Sequence, residues 1–137
     1  MHGFFLDTGV WLASLDKRDP LHPRAKALIE SHPRHPLIAT DAVFFETVTL
    51  MRRELGPDRA VEFGREFLRG EIGILIRTEP EDWIEALRII ETYREQKISM
   101  ADGLSMSVIR RLDIPKVASF DKHFKIVMPE REILGLL

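Results

Sequence analysis

The chain has 137 residues, of which 45% are hydrophobic and 31% charged, and its formal net charge is −2. We predict a single domain over residues 1–137, because this length and balance are typical of one globular core. The absence of cysteine excludes disulfides and thiolate metal sites. The chain lacks the basic excess typical of nucleic-acid-binding proteins, although a cation bound among clustered acids would invert the local field.

No apolar segment has the length of a membrane-spanning helix or the position expected for a signal peptide. The N-terminal segment reaches an acid at Asp7, which is too early for a signal peptide. No uncharged apolar run approaches the roughly 20 residues that span a bilayer. We therefore predict a cytoplasmic protein without a membrane association.

Short apolar runs alternate with longer amphipathic stretches along the chain. The short runs predict buried strands over residues 3–6, 37–39, 72–76 and 116–120, with a candidate fifth strand at 126–127. Apolar residues at helical spacing predict helices over residues 21–31, 41–55, 58–68, 78–90 and 99–112. Strands separated by helices indicate a parallel sheet that is covered on both faces.

Local sequence signals predict where two of these helices begin. Asp19 and Pro20 are predicted to be the N-cap and the first residue of the helix over 21–31. Thr78 and Glu81 have the spacing of a capping box and predict the start of the helix that includes Trp83. The starts of helices matter because ligands of parallel sheets bind beyond the carboxyl ends of the strands, where these helices begin.

Three acids lie at such positions. Asp7 and Asp121 each end a predicted buried strand, and helix capping is the alternative role for each of them. Asp102 follows Ser99 by three residues, so a capping box is the alternative there. Each acid alone is therefore ambiguous, but parallel strands bring their carboxyl ends together in space.

A fourth acid, Glu46, is the only charge between Ala42 and Met51. A helix that is apolar nearly all round is largely buried, so we expect Glu46 to face a cavity, a cation or a partner. A buried ion pair with an arginine is the alternative. Several unpaired carboxylates placed together would repel one another, and Mg²⁺ or Mn²⁺ would relieve that repulsion, since both prefer oxygen ligands.

The chain resembles the PIN-domain ribonucleases, and most closely the VapC-type toxins of bacterial and archaeal toxin–antitoxin pairs. The matching segments cover essentially the whole chain and are Phe5-Leu6-Asp7-Thr8, Glu46 in its apolar helix, Ser99-Met100-Ala101-Asp102, and Ala118 to Phe124. Gly103 departs from the family, which often has alanine at that position.

The resemblance implies an α/β fold, a three-layer α/β/α sandwich with a central parallel sheet of four to five strands. It implies an endoribonuclease that cleaves single-stranded RNA with Mg²⁺ or Mn²⁺. The residues that carry over as catalytic groups and metal ligands are Asp7, Glu46, Asp102 and Asp121. Thr8 and Ser119 would hold carboxylates or water beside them. The expected partners are an RNA substrate, a second copy of the chain in a homodimer, and an antitoxin that blocks the acidic cleft.

Other charged residues are less informative. Arg52, Arg53 and Lys122 are candidates for contacts with substrate phosphates, with solvated surface as the alternative. His123 lies two residues after Asp121 and could touch substrate, although a surface role is favoured. No HExxH motif or phosphate-binding loop is present.

Two other functions fit parts of the pattern. A receiver-like phosphoacceptor also places acids at strand ends, but it usually has two acids after the first strand and a lysine after the last one. In this chain Asp7 stands alone and Lys122 directly follows Asp121. A non-catalytic PIN scaffold that binds RNA or protein is the other alternative, and the intact set of four acids argues against it.

Overall fold

The computed structural model describes residues 1–137 and contains five strands and seven helices. The strands are β1 (Phe4–Leu6), β2 (Leu37–Thr40), β3 (Ile74–Ile76), β4 (Lys116–Ala118) and β5 (Ile133–Leu134). The helices are α1 (Thr8–Leu15), α2 (His22–Glu30), α3 (Asp41–Leu55), α4 (Pro57–Leu68), α5 (Pro80–Thr92), α6 (Met100–Arg111) and α7 (His123–Val127).

All five strands are parallel and lie in the order β3-β2-β1-β4-β5. The chain runs outward from β1 to β3 on one side and then returns to β4 on the other side of β1. Because such crossovers are right-handed, α1–α4 cover one face and α5–α7 the other. The predicted three-layer α/β/α sandwich is therefore confirmed, and the strand order switches direction between β1 and β4.

One continuous cluster of 27 buried residues forms the core. The central strand β1 is buried throughout, as expected for a strand covered by helices on both faces. Trp11 of α1 packs edge-on against Phe67 of α4 with 5.4 Å between ring centroids, and Phe44 of α3 lies at the same distance from Phe67. This aromatic cluster packs α1, which follows Asp7, against α3, which carries Glu46, and against α4.

Two predicted helix starts are wrong. Helix α2 begins at His22 rather than Pro20, because the Asp19 side chain accepts a hydrogen bond from the Leu21 backbone N–H at 2.8 Å and forms a turn before the helix. The capping box of α5 is formed by Glu79 and Asp82 and not by Thr78 and Glu81.

The candidate strand at residues 126–127 is also wrong. Ile126 and Val127 belong to α7, where Phe124 and Val127 are both buried at helical spacing. The fifth strand is β5, which pairs with β4 through Val117 and Ala118. No helix is both long enough and apolar enough to cross a bilayer.

Candidate metal centre

Asp7 lies at the carboxyl end of the central strand, next to the switch in strand order. Its backbone carbonyl accepts hydrogen bonds from Val10 and Trp11 at the start of α1, but its side chain caps nothing. The capping role considered for the Asp7 carboxylate is therefore wrong. The residue is 7% exposed, and its carboxylate accepts a hydrogen bond from the Ser119 hydroxyl at 3.0 Å.

Asp121 lies at the end of the neighbouring strand β4. The Asp121 backbone N–H donates to the Ser119 hydroxyl at 2.9 Å, so one serine contacts both acids. The Asp121 carboxylate accepts a hydrogen bond from the His123 backbone N–H at 2.8 Å. The N-cap of α7 is Lys122, so the helix-capping alternative for Asp121 is wrong. The Asp121 side chain makes a local turn with His123 and lines the same pocket as Asp7.

Asp102 is in the first turn of α6. The Ser99 hydroxyl accepts a hydrogen bond from the Asp102 backbone N–H at 3.1 Å, so Ser99 is the predicted N-cap. The Asp102 side chain makes no hydrogen bond back to the Ser99 backbone, in contrast to the reciprocal box of Glu79 and Asp82. Only half of a capping box forms, and the Asp102 carboxylate is left to face the pocket.

Glu46 lies on the side of α3 that faces the pocket. The core side of α3 carries Val43, Phe44, Thr47 and Met51, whereas Glu46 is half-buried. The expectation that this helix is buried nearly all round is therefore wrong. The arginine alternative is wrong too, because no ion pair in the structure involves Glu46.

The four acids line one pocket of about 480 Å³. Its wall consists of Asp7, Thr8, Gly9, Leu12, Glu46, Leu50, Ser99, Asp102, Phe120 and Asp121. No lysine or arginine is among them. The sequence-predicted acids therefore converge, and nothing basic in the pocket wall neutralises their charge.

The pKa values of two of these acids are raised, because no positive charge in the pocket wall offsets their burial and mutual repulsion. Burial and, second to it, the charge of Asp102 together raise the pKa of Asp7 to about 7, against the opposing hydrogen bonds from Thr8 and Ser119. Burial also raises the pKa of Asp102 to about 6, with added repulsion from Asp121 and then Glu46. A cation held between these groups would favour their charged forms.

The residues present fit a hard divalent cation. Carboxylate oxygens are the ligands that Mg²⁺ and Mn²⁺ prefer. The Thr8 hydroxyl is buried without any hydrogen-bond partner, yet Thr8 is part of the pocket wall. A buried hydroxyl without a partner is costly, and a bound water or cation in the pocket would satisfy it.

From the sequence, His123 is only a candidate substrate contact and not part of the metal site. Its side chain is 14% exposed and its Nδ1 lies 3.0 Å from the Asp121 carboxylate, so the favoured surface role is wrong. Ligand atoms of Asp102, Asp121 and His123 lie within 4.8 Å of one another. The only signal in the sequence was the spacing of two residues between Asp121 and His123.

The three candidate phosphate-binding residues lie outside the pocket wall. Arg52, Arg53 and Lys122 are exposed, and the Arg53 guanidinium is paired with Glu54 at 3.0 Å. Their role in binding substrate stays a prediction.

The PIN domain family model matches residues 4–128. The chain belongs to the PIN-domain family. The PIN domain is 26% identical over 125 residues to Ribonuclease VapC26 of Mycobacterium tuberculosis, covering 90% of this chain and 91% of that protein. The predicted resemblance to VapC-type PIN domains is thereby confirmed.

Solved structures have the same fold as this PIN domain. Mycobacterium tuberculosis VapC20, described as a Sarcin-Ricin loop cleaving toxin, matches with a TM-score of 0.82 and 25% identity over 90% of this chain and 94% of that chain. DNA-bound VapBC from Salmonella typhimurium matches with a TM-score of 0.69 and 15% identity over 97% of each chain. The second match shows only that the fold is shared.

Proposed function

We propose that this PIN domain is a metal-dependent endoribonuclease that hydrolyses phosphodiester bonds of single-stranded RNA, as the toxin of a type II toxin–antitoxin pair. The observation that carries the proposal is the convergence of four carboxylates in a pocket whose wall contains no basic residue. The similarity to a ribonuclease and to a toxin that cleaves the sarcin-ricin loop supports RNA as the substrate.

Asp7, Glu46, Asp102 and Asp121 would hold one or two ions of Mg²⁺ or Mn²⁺. When bound, such an ion lowers the pKa of water and neutralises charge that develops on the phosphate. No nucleophile from the protein is needed for hydrolysis by water.

The hydroxyl groups beside the acids have separate roles in this proposal. Ser119 holds the Asp7 carboxylate through its hydrogen bond of 3.0 Å and accepts the Asp121 N–H at 2.9 Å. Thr8, whose buried hydroxyl has no partner in the protein, would hold a carboxylate or a water of the metal site. These contacts orient the carboxylates and the water before substrate arrives.

The pocket favours this function over a receiver-like phosphoacceptor. A phosphoacceptor of that kind needs a lysine close to the phosphorylated aspartate, and no lysine lines this pocket. Lys122 is exposed although it follows Asp121 in the sequence. A mass gain of one phosphoryl group after incubation with acetyl phosphate would support the phosphoacceptor instead.

The proposal includes two protein partners, an antitoxin and a second copy of this chain. The similarity to Ribonuclease VapC26 and to the toxin VapC20 supports the antitoxin, and the homodimer rests on the family resemblance alone. Co-expression with the protein from a neighbouring reading frame should yield a stable complex that cannot cleave RNA. Light scattering of the isolated chain should give twice the mass of one chain, and the mass of a single chain would contradict the homodimer.

RNA cleavage with Mg²⁺ or Mn²⁺ tests the enzymatic proposal. Cleavage should stop with EDTA and in the Asp7→Asn variant, and it should leave 5′-phosphate and 3′-hydroxyl ends. Asp58→Asn is the matched control, because Asp58 is exposed on α4 away from the pocket. Products that end in a cyclic phosphate, or full activity in EDTA, would contradict hydrolysis by cation-activated water.

A further inference from the structure

His123 lies beside Asp102 and Asp121, two of the acids that line the pocket, and adds a nitrogen donor to a site otherwise built from oxygen. We propose that His123 is a direct ligand of a cation held by Asp102 and Asp121, and that it makes this site prefer Mn²⁺ to Mg²⁺. The inference rests on the proposed function, because it requires that the acids hold a divalent cation.

The distances between the ligand atoms of the three side chains suit coordination of one shared cation. Ligand atoms of Asp102, Asp121 and His123 all lie within 4.8 Å of one another. Ligands about 2.1 Å from a common ion lie roughly 3 to 4.3 Å from each other in octahedral geometry. Small side-chain rotations would therefore bring the three groups onto one ion without a change in the backbone.

The His123 ring is held in place by the protein. Its Nδ1 lies 3.1 Å from Oδ2 of Asp121, and its backbone N–H donates to Oδ1 of the same carboxylate at 2.8 Å. Phe124, the next residue, is fully buried and anchors α7. The nitrogen beside Asp121 is Nδ1. With the ring proton on Nε2, the Nδ1 lone pair faces the Asp121 carboxylate, and a cation bound between the two groups would replace their direct contact.

The two parts of the site differ in donor chemistry. Asp7, which is the more buried acid, accepts hydrogen bonds from the hydroxyl of Ser119 and the backbone N–H of Thr8, so the groups there that could bind a cation are oxygens. The cluster around His123 combines two carboxylates with an imidazole. Mg²⁺ prefers oxygen ligands and keeps several waters, whereas imidazole binds first-row transition ions more strongly. The nitrogen donor therefore favours Mn²⁺ over Mg²⁺ in this cluster.

The competing role for His123 is to position Asp121 without touching the cation. The two roles differ in what an asparagine at this position would do. His123→Asn keeps an N–H donor near Asp121 but removes the imidazole nitrogen. A positioning residue would be replaced well by asparagine, whereas a metal ligand with a preference for Mn²⁺ would not be.

The test uses the purified full chain with Mn²⁺ as a paramagnetic probe and Mg²⁺ as competitor. Pulsed electron paramagnetic resonance should detect the strong ¹⁴N coupling of a bound imidazole in the wild type. His123→Ala and His123→Asn should both lose this coupling, and the ratio of Mn²⁺ to Mg²⁺ affinity should fall about tenfold. His2→Ala is the control, since His2 is an exposed histidine outside the pocket.

Three results would overturn the inference. If the wild type shows no imidazole coupling, or if both His123 variants keep the wild-type affinity ratio, His123 is not a ligand. RNA cleavage by the wild type under those conditions would leave the proposed function intact. If the wild type binds no Mn²⁺ and cleaves no RNA, the proposed function fails together with this inference.

Discussion

The hydroxyl of Ser119 donates a hydrogen bond to Oδ2 of Asp7 at 3.0 Å, across the adjacent ends of β4 and β1. The register of the two strands pairs Leu6 with Ala118, which places Asp7 and Ser119 side by side one residue later. The same hydroxyl accepts the Asp121 backbone N–H. Two acids far apart in the sequence are thus aligned through one side chain.

Removal of this hydroxyl should weaken cation binding near neutral pH. In Ser119→Ala, Asp7 loses a hydrogen bond that lowers its pKa, so a larger fraction of Asp7 is protonated at pH 7. We expect RNA cleavage to fall by about tenfold at pH 7 and to recover as the pH is raised. Ser119→Thr, which keeps the hydroxyl, should retain most activity. An unchanged pH profile in Ser119→Ala would contradict the role assigned to this contact.

The stability of the metal-free protein should fall as pH rises from about 4 to 7. The pKa of Asp7 rises from 3.8 to about 7 on folding, so the folded state binds more protons than the unfolded state in that interval. The free energy of unfolding then decreases with pH, by at most about 1.4 kcal/mol for each pKa unit. In EDTA, the melting temperature should therefore be higher at pH 5 than at pH 8.

Asp7→Asn provides the control for that pH dependence. The variant lacks the buried carboxylate, so its metal-free form should melt at a more nearly constant temperature between pH 5 and pH 8. Added Mn²⁺ should stabilise the wild type at pH 8, by about 2.7 kcal/mol at 100 times its dissociation constant, and should stabilise Asp7→Asn much less. Equal pH slopes for the two proteins would show that Asp7 is not the group responsible.

The sequence predicted which acids form the site, but it did not predict which side of α3 is buried. Asp7 and Asp121 were found because each follows an apolar strand, and parallel strands must end at a common edge. Glu46 was found as a lone charge in an apolar segment. That segment has apolar residues on two sides of α3, so the sequence alone did not indicate which side is buried. The packing of α4, which is not encoded in α3, decides that Phe44 is buried while Phe45 stays 63% exposed.

Residues near the end of the chain were predicted less well. Ile126 and Val127 have the β-branched character of a strand, but Phe124 and Val127 fill the core from one side of a short helix. That same helix directs His123 at Asp121. Local propensity could not reveal this, because the contact depends on where α7 lies against the sheet.

A buried charge network outside the pocket should control stability. Asp82 is 0% exposed and accepts hydrogen bonds from Arg111 at 2.8 and 3.1 Å and from Ser107 at 2.7 Å. Burial raises the pKa of Asp82, but these hydrogen bonds outweigh burial and lower it overall.

The Asp82→Ala variant should lower the free energy of unfolding by about 3 to 5 kcal/mol. It leaves the Arg111 guanidinium, which is about a third exposed, without its main partner. Glu81→Ala is the control, because its 4.0 Å contact with Arg111 is exposed and should contribute under about 1 kcal/mol. Urea denaturation measures both, and a similar small change in the two variants would contradict a structural role for the Asp82 network.

Gly103, next to Asp102, should not tolerate substitution by alanine. A Cβ there would lie 3.1 Å from Cβ and 3.2 Å from Cα of Ala86 on α5, and backbone cannot move aside as a flexible side chain can. Alanine would gain up to about 1 kcal/mol of helix propensity, but it would push α6 away from α5 and displace Asp102. We expect Gly103→Ala to lower both the melting temperature and RNA cleavage.

Gly64 in α4 is the matched control for this substitution. A Cβ at Gly64 would meet only side-chain atoms of Val48 and Phe44, at 3.7 and 3.9 Å, which is ordinary contact. Gly64→Ala should therefore raise the free energy of unfolding by about 0.5 to 1 kcal/mol and leave cleavage unchanged. Adding Ala86→Gly to Gly103→Ala should restore only part of the cleavage, because it removes the Cβ contact at 3.1 Å but leaves the Cα of residue 86 at 3.2 Å. If Gly103→Ala is as stable and active as Gly64→Ala, close approach of α5 and α6 is not the reason for glycine beside Asp102.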